Sequence, residues 1–306
     1  MTLPPCCGMA RRRSLHWVPC AVLLLSAAWK WDFLQAFQNV RHRAPGVSRA
    51  ASEETPEAPE DTEDTTNVEL FRQSLIQGWG AGDVASSDSS DWAEVLDPAA
   101  VRAGDVLLGD PRRFFGEGSS PTLRRIGLQA RIPEDYPRRE RLRYLPVILL
   151  TSVEDSGKAE GVWLTLRTGQ LLGDFINFFH SRPLLYGGPS RSESVLMVHP
   201  YAEVEGAKPL PDGLFLGGSF ESAQAWVEEG QGSSLRMRFF LNRIEWQQGE
   251  LAAELAPSEK AWLPVRCSVD LVLSETDAID AKPLWVKVAE SAGGQPELLG
   301  RSYGLL

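Results

Sequence analysis

Strand-like and helix-like patterns of apolar residues alternate along the chain from Ala103 onward. The run LPVILLTSV is apolar without alternation, which is typical of a strand that is buried on both faces. Further strands are predicted at DVLLG, VWLTLR, SVLMV, LFLGG and LRMRFFL, with Arg236 and Arg238 of the last expected to face outward. Because short turns separate neighbouring strands, we predict an α+β fold with a mostly antiparallel β-sheet flanked by short helices.

Helix signals occur in five segments of the sequence. Ser219 can cap FESAQAWVEE, Pro257 ends QQGELAAELA, and PLWVKVAES starts with proline and is followed by Gly293. GQLLGDFINFF has a helix-like composition. NVELFRQSLIQ, which Asn67 can cap, predicts a short helix in an N-terminal extension of helix and loop over residues 67–102.

Charge is distributed unevenly along the chain. Residues 1–52 carry seven bases and one acid, residues 53–100 one base and thirteen acids, and residues 101–306 carry 23 bases and 27 acids. The formal net charge of −10 argues against a protein that coats nucleic acid with its whole surface. Residues 53–66 are acidic and lack large apolar side chains, so we expect a disordered linker there.

The first 52 residues have the features of a targeting leader. Three arginines precede WVPCAVLLLSAAW, an uncharged segment too short to span a bilayer comfortably, which predicts a signal peptide over residues 1–36. Residues 37–52 contain three arginines and no acid, as transit peptides do. The pair resembles the bipartite leader of algae with complex plastids, so we expect a stromal protein without a transmembrane segment in the mature chain. A plain secretory signal or an uncleaved membrane anchor is the alternative.

Several segments resemble the YqgE/AlgH family in order and spacing over about residues 103–290: AGDVLLGDP, YLPVILLTSVEDSGKAEGVWLTLRTGQLLGDF, LLYGGPSRSESVLMVHP, DGLFLGG, RFFLNRIEWQQGELAAEL and AWLPV. The Gly-Gly-Pro turn combined with the pattern Trp-x-x-x-(Gln/Glu)-Leu-x-x-Glu is the most specific part. The resemblance implies an α+β domain around a strongly curved antiparallel sheet, which leaves residues 291–306 as a C-terminal tail. Bacterial members are described as transcriptional regulators, but no biochemical activity or DNA-binding motif defines the family.

The chain departs from the family pattern in three places. Leu166-Arg167-Thr168 stands where Asn-Arg-Pro is usual, and Asn242-Arg243-Ile244-Glu245 stands where Gly-Tyr-Ala-Gly is usual. Glu250 occupies the place of a glutamine. Replacing two glycines puts side chains where a bare backbone could approach another group closely or take a positive φ.

A first candidate ligand site is the turn formed by Gly187, Gly188 and Pro189. Successive backbone N–H groups in such a turn can form an anion-binding nest, with Arg167 or Arg191 nearby. The alternative is a sharp turn that needs glycine for a positive φ.

A second candidate is an aromatic wall at Trp246, with the carboxylates of Glu250 and Glu254 behind it at helical spacing. The alternative is a tryptophan that packs at a corner and two glutamates that face water, which is the usual place for helix carboxylates. His199 is a further candidate beside the anionic site.

The segment from Arg112 to Arg143 contains nine arginines and four acids. As an exposed loop it could bind an anionic surface, such as nucleic acid, a membrane or an acidic protein. The alternative is a solvated loop without a partner. The candidate residues are Arg112, Arg113, Arg124, Arg125, Arg138, Arg139, Arg141 and Arg143.

No residue set predicts catalysis, and no cofactor is expected. The two histidines of the body, His180 and His199, and the lone Cys267 lack metal-ligand spacing. We therefore expect a non-catalytic plastid protein that binds a ligand or assists a partner. The alternatives are an enzyme acting on a small anion at the Gly-Gly-Pro turn and a transcriptional regulator that uses residues 112–143.

Overall fold

The computed structural model of the protein describes residues 91–190, 194–274 and 281–306. All of them belong to one structural unit, Asp83–Leu306. Several predicted features lie outside the described residues: the signal peptide at 1–36, the transit-peptide-like segment at 37–52, the acidic linker at 53–66, the helix capped by Asn67, and Arg191.

The described strands form two six-stranded sheets. In spatial order the first sheet contains β1 (Ala93–Val95), β12 (Trp262–Cys267), β2 (Val106–Gly109), β3 (Val147–Val153), β4 (Ala159–Trp163) and β11 (Ile244–Trp246). The second contains β5 (Arg167–Leu171), β6 (Pro183–Tyr186), β10 (Arg238–Leu241), β7 (Val195–His199), β9 (Phe215–Leu216) and β8 (Lys208–Pro209). The predicted α+β class with mainly antiparallel strands is confirmed, and the strands are divided between two sheets.

Neighbouring strands run antiparallel, with one exception. Neighbours in both sheets pair antiparallel in the described part of the chain, except for β6 and β10, where Leu184 lies opposite Phe239 in a parallel register. This parallel pair joins segments that are far apart in sequence. The chain between β6 and β10 must therefore cross over before the two strands can pair in parallel.

The main core lies around the central strands of the first sheet. Every residue of β2 is buried, as are the first five of β3, which agrees with the continuous apolar run that predicted a strand covered on both faces. A smaller cluster, which includes Leu184, Met197 and Phe239, packs against the second sheet. Leu185, Val198 and Phe240 of the second sheet, in contrast, belong to the main core, so that core is shared by both sheets.

Eight α-helices are described: α1 (Pro111–Phe114), α2 (Pro121–Arg125), α3 (Arg138–Tyr144), α4 (Phe220–Glu228), α5 (Glu250–Leu255), α6 (Val269–Val272), α7 (Leu284–Ala292) and α8 (Gly294–Ser302). The Ser219 side chain caps α4 by accepting from the Ser222 N–H, as predicted. Pro283 precedes α7 and Gly293 follows it, as predicted. Helix α8 lies within the residues that we designated a C-terminal tail, and Leu305 beyond it is fully buried.

The arginine-rich segment from 112 to 143 is not a loop. It contains α1, α2 and α3, and its apolar residues Phe114, Leu123 and Leu142 are buried in the main core. Asp110 and Ser120 cap the first two helices with their side chains. The prediction of an exposed loop was wrong. The few apolar residues that pack into the core are widely spaced among the arginines, so the sequence shows no clear helical pattern.

Two predicted elements were wrong in detail. GQLLGDFINFF is not a helix: it forms the end of β5 and a 3-10 turn at Leu172–Asp174. Gly169 has a φ of +85°, which an α-helix cannot accommodate. In LRMRFFL, β10 begins only at Arg238. The Arg238 side chain is buried, contrary to our prediction, and its Nη1 donates to the Leu164 carbonyl at 3.2 Å, which compensates for the burial.

Within the described residues, no helix combines the length and the apolar character needed to cross a bilayer.

Candidate functional site

The Gly-Gly-Pro turn lies where the two sheets meet. The Gly187 N–H donates to Leu241 of the second sheet at 2.8 Å, and its carbonyl accepts from the Trp163 N–H of the first sheet at 3.0 Å. A Cβ on Gly187 would lie 2.2 Å from the Asn242 carbonyl oxygen, and one on Gly188 would lie 2.2 Å from the Arg243 carbonyl carbon. Both residues are therefore glycine because another backbone segment packs directly against them.

This geometry does not suit the anion-binding nest that we predicted. Neither Gly187 nor Gly188 has a positive φ, so the expectation of a turn with positive φ was also wrong. The N–H of Gly187 is already used by Leu241. Pro189 has no N–H group to offer. The turn is a structural joint between the sheets.

Asn242 takes the positive φ that glycine would otherwise supply. Its φ is +63°, in the left-handed region where asparagine is tolerated better than most residues. The resemblance places a glycine near this point, and the substitution by asparagine therefore preserves the backbone path. Its N–H donates to the Ser194 carbonyl at 3.0 Å.

His199 is buried and fully hydrogen-bonded. Its Nδ1 accepts from the Tyr201 N–H at 3.2 Å, and its Nε2 lies 3.0 Å from the Gly217 carbonyl oxygen. With Nδ1 as the acceptor, the proton resides on Nε2 and the ring is neutral. Burial lowers the pKa of His199 below its ordinary value of 6.5. The side chain has a structural role and does not reach a ligand site.

Trp246 and Glu254 form a buried hydrogen-bonded cluster. Glu254 is only 6% exposed, and its Oε2 accepts from the indole Nε1 of Trp246 at 2.9 Å and from that of Trp262 at 2.8 Å. Its Oε1 accepts from Arg125 Nε at 2.9 Å. The prediction that Glu254 faces water was wrong, because three donors from distant elements compensate the burial of its charge.

Glu250 extends this cluster toward the surface. It pairs with the Nη1 of Arg125, and its Oε2 accepts from the Gln247 N–H at 2.6 Å. Its side chain is about one-third exposed. Within this cluster the Glu254 carboxylate accepts the hydrogen bonds of Trp246, Trp262 and Arg125. The cluster is therefore a packing corner, which is one of the two interpretations that we gave Trp246.

A cleft of about 740 Å³ lies between α3, the start of β3, the β4–β5 connection and the start of α7. We call it the arginine cleft, because four arginines line it: Arg138, Arg139, Arg143 and Arg167. Its other lining residues are Glu140, Leu142, Leu145, Val147, Thr165, Ala281, Pro283, Leu284 and Trp285. The cleft joins two predictions that were made separately, Arg167 as an anion ligand and the arginines of residues 112–143.

The cleft arginines are exposed, and no carboxylate of the described residues pairs with those of α3. Arg139 makes no hydrogen bond or ion pair with any described residue, and Arg143 lies over the Tyr144 ring at 5.6 Å. Arg138 donates to the Leu305 carbonyl at 2.6 Å through Nη2. Arg139 and Arg143 stand four residues apart on one helical face, where like charges repel each other. Glu140 is the single acid among the described lining residues, so these residues together carry a net positive charge.

Most of the other predicted arginines are bound within the fold. Arg112 pairs with Asp110, Arg113 donates to the Ser258 carbonyl, and Arg141 donates to the Tyr303 carbonyl. Arg125 belongs to the Glu254 cluster. Arg124 is exposed on α2 and has no partner among the described residues. The eight arginines therefore do not form one continuous surface.

Helix α7 begins at the wall of the cleft. Pro283 precedes it, no side chain caps its first turn, and that turn contains no acid. The N–H groups of a first turn and the positive end of the helix dipole favour an anion. The sequence did not predict that the start of α7 and Thr165 line this cleft, because nothing in their local sequence indicates proximity to the arginines.

Residues 91–190, 194–274 and 281–306 contain no candidate metal site and no reactive thiol. No group of three His, Cys, Asp or Glu side chains there could hold a metal ion. Burial raises the pKa of Cys267 to about 12, so its thiol stays protonated and unreactive at neutral pH.

Comparison with known proteins gives a consistent set of relatives. A family model described as AlgH-like matches residues 145–297. A UPF0301 protein of Bacteroides thetaiotaomicron is 28% identical over 162 residues, which covers 51% of this chain and 77% of the relative. A UPF0301 protein of Chlorobaculum tepidum is 30% identical over 126 residues, which covers 39% of this chain and 64% of the relative.

Two solved structures are similar to the chain. One, from Corynebacterium diphtheriae, is 20% identical with a TM-score of 0.47, and the match covers 67% of this chain and 94% of the other. The AlgH protein of Pseudomonas aeruginosa is 16% identical with a TM-score of 0.43, and the match covers 64% of this chain and 91% of the other.

Replacing Glu254 should destabilise the fold. We expect Glu254→Ala to lower the free energy of unfolding by about 3–5 kcal/mol, because Arg125 and two indoles lose their buried acceptor. Glu254→Gln should cost about 1–3 kcal/mol, because an acceptor oxygen remains. Urea unfolding followed by tryptophan fluorescence measures both. Glu250→Gln, at a partly exposed site, is the control and should cost less than about 1 kcal/mol; equal losses at 250 and 254 would contradict the assignment.

Burial of neutral His199 should make stability depend on pH. The unfolded chain takes up a proton near the ordinary pKa of 6.5 and the folded chain only at lower pH. The contribution to the free energy of unfolding is therefore complete above pH 6.5 and decreases as the pH falls below that value. Urea unfolding between pH 5 and pH 7.5 should show a flatter dependence in His199→Gln than in the exposed control His180→Gln. Parallel pH profiles for the two variants would refute this role.

Proposed function

The chain belongs to the AlgH-like family, and from that premise we propose that it is a non-catalytic protein that binds a small anionic ligand in the arginine cleft. The names of its relatives state no activity, so the proposal depends on the cleft itself. The observation that carries it is the set of exposed arginines around one cavity, of which Arg139 and Arg143 have no carboxylate partner among the described residues. Unneutralised cations in a concave site attract anions more strongly than the same charges on a flat surface.

The size of the cleft supports a small ligand. A volume of about 740 Å³ lies within the range of roughly 300–1,000 Å³ that small-molecule sites usually have. The open first turn of α7 adds N–H donors to the same wall. Guanidinium groups also fit the oxygens of phosphate and carboxylate groups in a bidentate manner.

The lining favours binding over catalysis. Apart from the arginines, its polar side chains are Glu140 and Thr165, and the Thr165 hydroxyl already accepts from the Trp163 indole at 3.0 Å. His199, which we considered for an enzyme at the Gly-Gly-Pro turn, is buried and satisfied elsewhere. Arg167 and that turn therefore do not combine into an active site in the described part of the chain.

A regulator that binds nucleic acid through residues 112–143 is the second candidate. The positive charge of that segment favours it. Five of the eight arginines, however, are engaged with protein groups: Arg112, Arg113, Arg125, Arg138 and Arg141. The cleft therefore accounts for the remaining charge better than a continuous nucleic-acid surface does.

Anion binding should depend on the cleft arginines. Titration calorimetry with inorganic pyrophosphate should show binding to the wild type, weakened about tenfold or more by Arg143→Gln or Arg167→Gln, because a hydrogen bond to a charged group contributes about 1.5–3 kcal/mol. Arg124→Gln removes an exposed arginine outside the cleft and should bind as the wild type does. Equal losses in all three variants would indicate general charge attraction. Release of phosphate from pyrophosphate would overturn the non-catalytic assignment.

The location in the plastid stroma is also our proposal, and it is supported by the composition of residues 1–52. A fluorescent protein fused after residue 66 should enter the plastid of an alga with complex plastids. Deletion of residues 37–52 should leave it in the secretory pathway, because the signal peptide alone remains. Secretion of the undeleted fusion would contradict a plastid location.

A further inference from the structure

Two polar side chains of the arginine cleft have hydrogen-bonding capacity that the described part of the protein does not use. They are Glu140 on α3 and Thr165 on the connection between β4 and β5. Both are half-buried, whereas the cleft arginines are exposed. The two groups differ in kind, since a carboxylate only accepts hydrogen bonds and a hydroxyl can also donate one.

Glu140 is an acceptor that has no donor among the described residues. It stands three residues before Arg143 on the same helix, a spacing at which an ion pair can form. These two residues form no such pair: Arg143 lies over the Tyr144 ring, and Glu140 lines the cleft. Its carboxylate is therefore available to a ligand in the cleft.

Thr165 contributes a donor. Its Oγ1 accepts from the Trp163 indole Nε1 at 3.0 Å, which occupies one lone pair and directs the hydroxyl proton away from the indole. No described residue accepts that proton. The hydroxyl can therefore donate to an oxygen of a ligand, as the arginines can.

An anion without a proton to donate would use only part of this site. Arg139, Arg143 and Thr165 would bind its oxygens, but Glu140 would lie near it as a like charge, which disfavours binding. A ligand that also carries a donor group removes this conflict, because Glu140 then accepts a hydrogen bond. Hydrogen bonds to an ionised acceptor are stronger than those between neutral groups.

The charges on α3 favour a hydroxyl over an ammonium as this donor group. An ammonium would satisfy Glu140, but Arg139 and Arg143 lie within about one turn of it on the same helix and would repel a cation. A hydroxyl carries no charge. It also combines one donor with two acceptor lone pairs, so it can donate to Glu140 and still accept from a neighbouring group.

We propose that the ligand is a small oxyanion that carries a hydroxyl group. Its phosphate or carboxylate group binds Arg139, Arg143 and the Thr165 hydroxyl, and its own hydroxyl donates to Glu140. This inference rests on the proposed function and adds the chemical class of the ligand. It makes Glu140 the residue that determines specificity.

The test compares two pairs of anions that differ in their hydroxyl groups: glycerol 3-phosphate with n-propyl phosphate, and glycerate with propionate. Titration calorimetry of the full-length chain at neutral pH and one ionic strength measures each affinity. In at least one pair the hydroxylated anion should bind about tenfold more tightly, which is the lower end of what a hydrogen bond to a charged group contributes. The pair that shows the difference identifies the anionic group as phosphate or carboxylate.

Glu140→Ala should abolish the preference for the hydroxylated anion. It should weaken the hydroxylated member of the pair and leave the other member unchanged or more tightly bound, because a repelling charge has been removed. A residue with a merely structural role would weaken both members. Glu117→Ala removes an exposed acid outside the cleft and should keep the wild-type ratio of affinities.

The outcomes separate this inference from the proposed function. Equal affinities within both pairs in the wild type, with every affinity reduced in Arg143→Gln, would overturn the hydroxyl group and leave the anion site intact. A preference that persists in Glu140→Ala would refute the role of Glu140. No binding of any of these anions, pyrophosphate included, would overturn the proposed function as well. The wild-type comparison needs no variant, so a misfolded Glu140→Ala chain would not prevent the test.

Discussion

The buried carboxylate of Glu254 constrains the first sheet and the helices that cover it. It accepts hydrogen bonds from Trp246 on β11 and Trp262 on β12, and three other strands lie between these two. In a flat sheet strands that are four positions apart would be separated by about 19 Å, since neighbouring strands are spaced about 4.8 Å apart, and their side chains would point away from the plane. One carboxylate can reach both indoles only if the sheet curls strongly. Glu254 thus marks the inside of that curve.

Arginines hold the arginine-rich segment in place at two points. Arg125 ties α2 to Glu254, while Arg138 and Arg141 of α3 donate to the carbonyls of Leu305 and Tyr303. These arginines satisfy polar groups of the fold, and the rigid placement of α3 that results leaves Arg139 and Arg143 at the rim of the cleft. Arginines that look equivalent in the sequence therefore divide into anchors and candidate ligand contacts.

Local patterns predicted much of the fold but little of the site. The central strands, the Ser219 cap and the limits of α7 follow from apolar runs and from backbone preferences that operate over a few residues. The partners of Glu254 could not be read in this way, because Arg125 lies 129 residues away in the sequence. The burial of Arg238 likewise depends on a carbonyl 74 residues away. Arg167 was proposed as an anion ligand from its residue type alone, and its position opposite α3 depends on tertiary contacts that the local sequence does not show.

The joint between the sheets bears on how this chain can change during evolution. At Gly187 and Gly188 the obstacle to a side chain is the backbone of residues 242–243, and no rotamer adjustment can relieve it. At Asn242, on the other side of the same contact, the requirement is conformational, and asparagine meets it at a small cost. The two sides of this joint therefore tolerate substitution differently. The segment at residue 242 can exchange glycine for a polar residue, while the facing segment at residues 187–188 admits no side chain. Compensating pairs of substitutions cannot arise there.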